Sequence, residues 1–429
     1  MQTAKADKVL FTGGERLDLT SGKREQIDVV VVNGTIDNIG HVDPESFKGT
    51  VYDINGNLIV PGLFDMHVHL REPGREDKET IETGCAAAMA GGFTGVACMP
   101  NTTPPTDDQQ VVKFIKRKAE DELVDVHPVA AITKGRSGKE ITEMAELIRA
   151  GAVAFSDDGS PVLDTLVMRS AFEYASMYHA PIIDHCEDPF LAHGGHMNEG
   201  RMSTRLGIAG IPNAAESIQI ARNIELSRLT GGAVHIAHMS VKEGVDLVHR
   251  AKDAGLAVTC EITPHHLLYT DEDLTQFDTN LKMNPPLRTA EDVAALEKGL
   301  QGGIIDVFAS DHAPHTLEDK DVEFDAAPFG IIGLETMLGV VLKQIVQRQI
   351  LSLEHALQKM IIAPRRILNL PVPELKKGEM ANLTIFNPEA TFTYDVHQSK
   401  SKSRNAPYHG MELPGKVFGV LNKGMLWIA

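Results

Sequence analysis

A chain of 429 residues, 42% hydrophobic and 5% aromatic, has the length for one large domain or two and the ordinary composition of a globular protein. Its 41 basic and 59 acidic residues leave a formal charge of -18, and without a stripe of Lys and Arg this excludes a nucleic-acid partner. The cysteines Cys85, Cys98, Cys186 and Cys260 stand far apart, which excludes a zinc knuckle and a disulfide framework and fits a reducing cytoplasm.

Met1 to Lys8 lacks the apolar core of a signal peptide, and no stretch approaches the length that spans a bilayer, so no membrane partner is expected. The longest candidate, Gly330 to Val346, is interrupted by Glu335 and Lys343 and reads as a core-facing helix. Residues 8 to 57 read as short strands with turns: Asp28 to Val32, an Asn33-Gly34 hairpin turn, then Thr35 to Ile39.

From Leu58 to Gln349 a short apolar run alternates with an amphipathic helix. Leu58, Ile59, Val60, Leu63 and Phe64 predict a buried strand bent at Pro61-Gly62. Phe93 to Met99 precedes a helix over 107–122, Val124 to Val129 one over 139–149, and Ala152 to Phe155 one over 164–178. Pro181 to Ile183 leads to a helix over 214–229 and Ala233 to Ala237 to one over 242–254, with Leu256 to Cys260 and Ile304 to Ala309 as the last two strands. Eight strands in this rhythm predict an α/β fold, a closed (β/α)8 TIM-type barrel. A doubly wound sheet would need a phosphate-binding glycine turn, which Gly13-Gly14-Glu15 and Gly91-Gly92-Phe93 do not supply. After Leu375 short strands return, so residues 1–57 with 375–429 are expected to form a small β-sandwich domain from both termini, around a barrel over 58–374.

Barrel enzymes hold their reactive groups at the C-terminal ends of the strands. Those ends carry His67 and His69, Asp157-Asp158, His185, His238 and Asp311, all metal-ligand types. In a strand, residues i and i+2 face the same way, so His67 and His69 can grip one ion. Nitrogen and oxygen donors without thiolate suit zinc, with manganese, cobalt or iron as substitutes, and the donors exceed one tetrahedral site, so two ions sharing a bridging carboxylate are expected. Asp311 is the candidate acid and base. Residue types alone do not separate Asp157 from Asp158 as the bridge. His265 and His266 read as structural, His193 and His196 as loop residues, and 201–210 and the turn after His315 as candidate mobile segments.

The run Asp65-Met66-His67-Val68-His69-Leu70-Arg71-Glu72-Pro73-Gly74 resembles the first signature of dihydroorotases in the amidohydrolase superfamily, and Ala309-Ser310-Asp311-His312-Ala313-Pro314-His315 the second. Met99 to Thr102, Ser156 to Gly159, Asp184 to Glu187, Ala237 to Ser240, Lys282 to Arg288 and Pro328 to Gly330 resemble that family in order. The resemblance implies metal binding by His67, His69, Asp158, His185, His238 and Asp311, with Asp158 where many relatives carry a carbamylated lysine. It also implies a substrate carboxylate met by Arg71, Asn101 and His315, with His69 close by, and a ring edge read by Asn284 and the backbone at Phe329-Gly330. The implied activity is reversible, zinc-dependent cyclisation of N-carbamoyl-L-aspartate to L-dihydroorotate in pyrimidine biosynthesis. The rivals are another cyclic amidase of allantoinase or hydantoinase type, and an inactive scaffold for aspartate transcarbamoylase. That enzyme is a candidate partner in either case, and a homo-oligomer is compatible with the sequence.

Overall fold

The computed structural model describes residues 3–429. Barrel strand one, Leu63–Val68, is followed by Phe93–Cys98, Asp125–Ala130, Ala154–Phe155, Ile182–Asp184, Val234–Ile236, Val258–Ile262 and Val307–Phe308. Each pairs in parallel with the next. Strands one and eight meet beyond the regular ladder. The His69 amide donates to the His312 carbonyl at 2.8 Å, and the buried Asp65 carboxylate accepts the Ser310 amide at 3.1 Å. Closure is thus made at the end of the barrel that carries the histidines.

The expected helices form as Gln109–Lys118, Met144–Ala150, Thr165–Ser176, Asn213–Thr230 and Lys242–Asp253. Asp108 and Asp164 cap two of them by accepting first-turn amides. Two further helices are Ile81–Ala90 and Ala290–Gln301. The first is an alanine-rich segment buried nearly all round, so it has no polar face to reveal a helical period. Between Gly330 and Val346 the helix starts only at Met337 and passes into a π-turn over Leu342–Val346. The expected longer helix is excluded because Ile331 bridges His312 and a Cβ on Gly333 would lie 3.1 Å from Ser310, so this stretch lies flat on strand eight.

The run Leu58 to Phe64 is two strands in two sheets. Leu58–Pro61 pairs antiparallel with the segment Leu383 to Phe386, while Leu63–Val68 enters the barrel. Gly62 makes the hinge: a Cβ there would sit 2.0 Å from Thr94 Oγ1 and 2.1 Å from Asn382 Oδ1.

Residues from both ends of the chain form one nine-stranded sheet. It folds over its own core of Val9, Phe11, Val29, Val31, Ile36, Ile59, Leu383, Ile385 and Leu421. The fold-over brings the Asn33-Gly34 turn against Gly424, where a Cβ on Gly34 would lie 2.8 Å from the Gly424 Cα. Asn33 and Gly34 take φ of 49° and 76°, the left-handed pair that a tight hairpin needs.

Candidate active site

His67 and His69 project from the end of strand one toward Asp158, after strand four, and Asp311, after strand eight. His67 Nε2 lies 3.5 Å from Asp158 Oδ1 and 3.6 Å from Asp311 Oδ1, and His69 Nε2 lies 3.0 Å from Asp311 Oδ1. Across the barrel mouth, His185 Nδ1 and His238 Nε2 stand 2.9 Å apart, with His238 4.0 Å from Asp158 Oδ1. Asp158 therefore lies between the two histidine pairs, and each pair with Asp158 offers ligand atoms within 4.8 Å of one another. Asp157 does not reach them. Its carboxylate accepts the amides of Ile132 at 2.8 Å and Thr133 at 3.1 Å, and the Thr133 hydroxyl. It holds the turn after strand three, and burial pushes its pKa up to about 6 in spite of those bonds.

The backbone is strained where these groups are aimed. Arg71, His238 and Asp311 have φ of 61°, 30° and 45°, a region that non-glycine residues occupy at a cost of order 1–3 kcal/mol each when the surroundings impose it. The three meet at one barrel mouth, beside the His and Asp cluster.

Three buried carboxylates, Asp158, Asp311 and Glu261, face the histidines. Burial opposes the charged forms, yet the imidazoles hold the Asp311 and Glu261 carboxyls well below the usual carboxylate range. The carboxylates in turn raise His67 against its burial, whereas burial with His185 and His67 alongside pushes His238 down to about 3. Buried charge of this density has to be paired or neutralised. The nitrogen and oxygen donors are the right chemistry for a divalent metal, and His67 Nε2, which faces Asp158 and Asp311, is a buried ring nitrogen without a hydrogen-bond partner among the described residues. The residues present fit a metal centre.

A cavity of about 260 Å3 opens over this cluster. Asp158, Asp311, His69, His185 and His238 line it, with Arg71, Asn101, Asn284, His315, Phe329 and Gly330. His67, fully buried, lies outside the lining. Asn101 accepts from His69 Nδ1 at 2.8 Å and donates to Asp158 at 3.2 Å, so it orients two ligand candidates as well as facing the cavity. Asn284 Nδ2 is 3.4 Å from His185 Nε2, and its buried Oδ1 has no partner. Gly330 has φ of 145°, and a Cβ would press to 2.8 Å on both the Ala313 carbonyl and His315, so only glycine fits.

Several residues in the site carry no motif of their own. Glu261 takes His67 Nδ1 at 2.6 Å, and its signal is a carboxylate in the apolar strand Val258–Ile262. Lys78 lies 2.9 Å from His315 Nδ1. Asn405, from the C-terminal segment, accepts the His315 amide at 3.0 Å and donates to the Ala313 and Gly330 carbonyls at 2.9 and 3.0 Å. His266 is bound to Thr263 and the Pro285 carbonyl, while His265 is buried without a partner. The segment 201–210 holds the helix Arg201–Leu206 and the start of a short strand, Gly210–Ile211, paired with Met197–Asn198.

Residues 56–244 match the family model described as Dihydro-orotase-like. The chain is 49% identical to a dihydroorotase of Pelotomaculum thermopropionicum over 97% of each chain. It is 47% identical to one of Caldanaerobacter subterraneus over 94% of each. Among solved structures it resembles the L-hydantoinase of Arthrobacter aurescens, with TM-score 0.84, 25% identity and coverage of 97% of this chain and 95% of that one. A D-hydantoinase structure shares the fold at TM-score 0.83 and 21% identity, covering 98% and 95%. The barrel, its composite β domain and its cluster of His and Asp define an enzyme of the cyclic amidohydrolase class with groups able to hold metal. Within that class, the chain belongs to the dihydroorotase family.

Proposed function

We propose that the chain interconverts N-carbamoyl-L-aspartate and L-dihydroorotate, the ring closure of de novo pyrimidine biosynthesis, with two zinc ions at the barrel mouth. The observation that carries this reading is one cavity lined both by the donors Arg71 and His315 and by Asp311 with the histidines His69, His185 and His238. An anionic group and a reacting amide are accommodated together.

His67, His69 and Asp311 on one side, and His185 and His238 on the other, would hold the metal, with Asp158 between. When bound, the ions supply Lewis-acid polarisation of a carbonyl and lower the pKa of water toward neutrality. Arg71 offers a planar fork of donors to the substrate carboxylate, and Asn284 faces the ring edge. In ring opening, Asp311 takes a proton from the attacking water and delivers it to the departing ring nitrogen. In closure Asp311 takes the proton that the carbamoyl nitrogen loses as it attacks the aspartate side-chain carboxyl, and delivers it to the departing oxygen, which leaves as water.

The hydantoinase reading is weaker because Phe155-Ser156-Asp157-Asp158 offers no lysine at the strand-four end. An inactive scaffold is disfavoured because every expected ligand position keeps a ligand residue. Aspartate transcarbamoylase as a partner, a homo-oligomer and a cytoplasmic setting belong to the same proposal, and co-purification at moderate salt tests the first. The reaction is tested by assaying both directions with added zinc, beside a chelated sample and Asp311→Asn. The substitution should cost at least about 100-fold in turnover. Full activity in either control, or none in the zinc-loaded enzyme, would overturn the proposal.

A further inference from the structure

His315 is buried and lines the cavity with Arg71, and its two ring nitrogens have different neighbours. Nδ1 lies 2.9 Å from Lys78 Nζ, and Nε2 lies 3.5 Å from an Arg71 guanidinium nitrogen. An ammonium has only protons to offer, so a hydrogen bond from Lys78 requires a lone pair on Nδ1. The neutral ring then carries its proton on Nε2, facing the cavity. Burial, with the Arg71, Lys78 and Lys320 charges nearby, holds the ring well below the usual histidine range, so it is neutral.

Arg71 is also a donor only. Its guanidinium, 3.5 Å from Nε2, would, like Asp319, favour the opposite tautomer, but the Lys78 contact is the shorter; with Nε2 protonated, the guanidinium and the Nε2–H cannot bond each other and both can donate to a shared acceptor in the cavity. Arg71 is fixed by its Nε–H donating to the Pro314 carbonyl at 3.2 Å. Asp319 competes for Nδ1 from 3.4 Å and would favour the opposite tautomer, but it is held by Lys78 at 2.7 Å. The lysine itself is buried, and Ser403 of the C-terminal segment donates to its carbonyl at 2.7 Å.

We propose that Lys78 is a positioning residue that locks the His315 tautomer, so that the Nε2–H of His315 and the Arg71 guanidinium converge on the carboxylate of the substrate. This rests on the substrate reading above for the identity of the anion; the tautomer does not depend on it. The experiment is 15N NMR of histidine-labelled enzyme, assigning the His315 signals as those lost in His315→Gln. The expected wild-type pattern is an unprotonated Nδ1 and a protonated Nε2. In Lys78→Met the proton should move to Nδ1, toward Asp319.

Steady-state kinetics give the second readout. Lys78→Met should raise KM for dihydroorotate about 10- to 100-fold, as expected for loss of a charge-assisted contact, with kcat changed less than about threefold. Lys78→Arg should recover much of the KM. Orotate should lose affinity in Lys78→Met in the same proportion. A proton on Nδ1 in the wild type overturns the proposal even if the variant does not fold, as does an unchanged KM. A wild type without dihydroorotate turnover but with the expected tautomer would instead remove the substrate reading and leave the Lys78 lock standing.

Discussion

His67 Nδ1 lies 2.6 Å from Glu261 Oε1, joining the ends of barrel strands one and seven through two fully buried side chains. The imidazole donates through Nδ1, which directs Nε2 toward Asp158 and Asp311. The same carboxylate receives the His235 ring at 3.1 Å and the His238 amide at 3.2 Å. One carboxylate therefore sets both the tautomer of one metal-ligand candidate and the backbone of another.

Glu261→Gln should weaken metal retention about 10- to 100-fold, the usual effect of removing the group that orients a ligating histidine. Metal content after graded dialysis against a chelator measures this, with circular dichroism as the control for folding. Unchanged metal content would show that His67 is oriented by other means.

Arg71→Met should separate carboxylate recognition from chemistry. Loss of a bidentate charged contact predicts a fall of about 10- to 100-fold or more in kcat/KM for dihydroorotate, with a much smaller change for an uncharged cyclic amide such as a hydantoin. Parallel kinetics on both substrates decide it. Equal losses would take Arg71 away from the carboxylate.

Asn405 ties together the two loops that carry His315 and Gly330, and Asn405→Ala leaves three buried backbone groups unpaired. The expected cost is about 2 to 4 kcal/mol of stability by urea unfolding. KM for dihydroorotate should rise more than kcat falls, since the loosened loops carry the proposed substrate contacts while Asp311 lies directly after strand eight.

Asp28 gives the β domain a defined acid limit. Burial opposes its charge, but bonds accepted from the Val42 and Gly13 amides and the Thr12 hydroxyl hold its pKa below the ordinary value. Its stabilising contribution is complete above the unfolded pKa of about 4 and is lost as pH falls through the folded value. Asp28→Asn should lower the unfolding midpoint at pH 7 and flatten its decline below pH 4, as read by thermal melts across that range. A parallel decline in both proteins would place the acid sensitivity elsewhere.

The barrel and its cluster of candidate ligands were legible because both follow local rules. Short apolar runs alternating with amphipathic helices read as parallel strands with crossovers, and a two-residue period puts His67 and His69 on one side of a strand. His185, His238 and Asp311 could be picked out because such barrels place reactive groups at strand ends. Where local patterns misled, packing had intervened. Leu58 to Phe64 is apolar throughout, but Gly62 fits between Thr94 and Asn382, and that contact splits the run between two sheets. Gly330 to Thr336 stays out of the helix because it lies on strand eight.

By itself the sequence determined the eightfold rhythm, the composite β domain and the His and Asp residues at the strand ends, since hydrophobic period and strand polarity are properties of neighbours along the chain. Only the tertiary structure decided that Asp158 rather than Asp157 faces the histidines, that Glu261 orients His67, and that Lys78 and Asn405 hold His315. Those choices depend on hydrogen-bond partners far apart along the chain, such as Asp65 with Ser310 at a separation of 245 residues, which become neighbours only once the barrel closes.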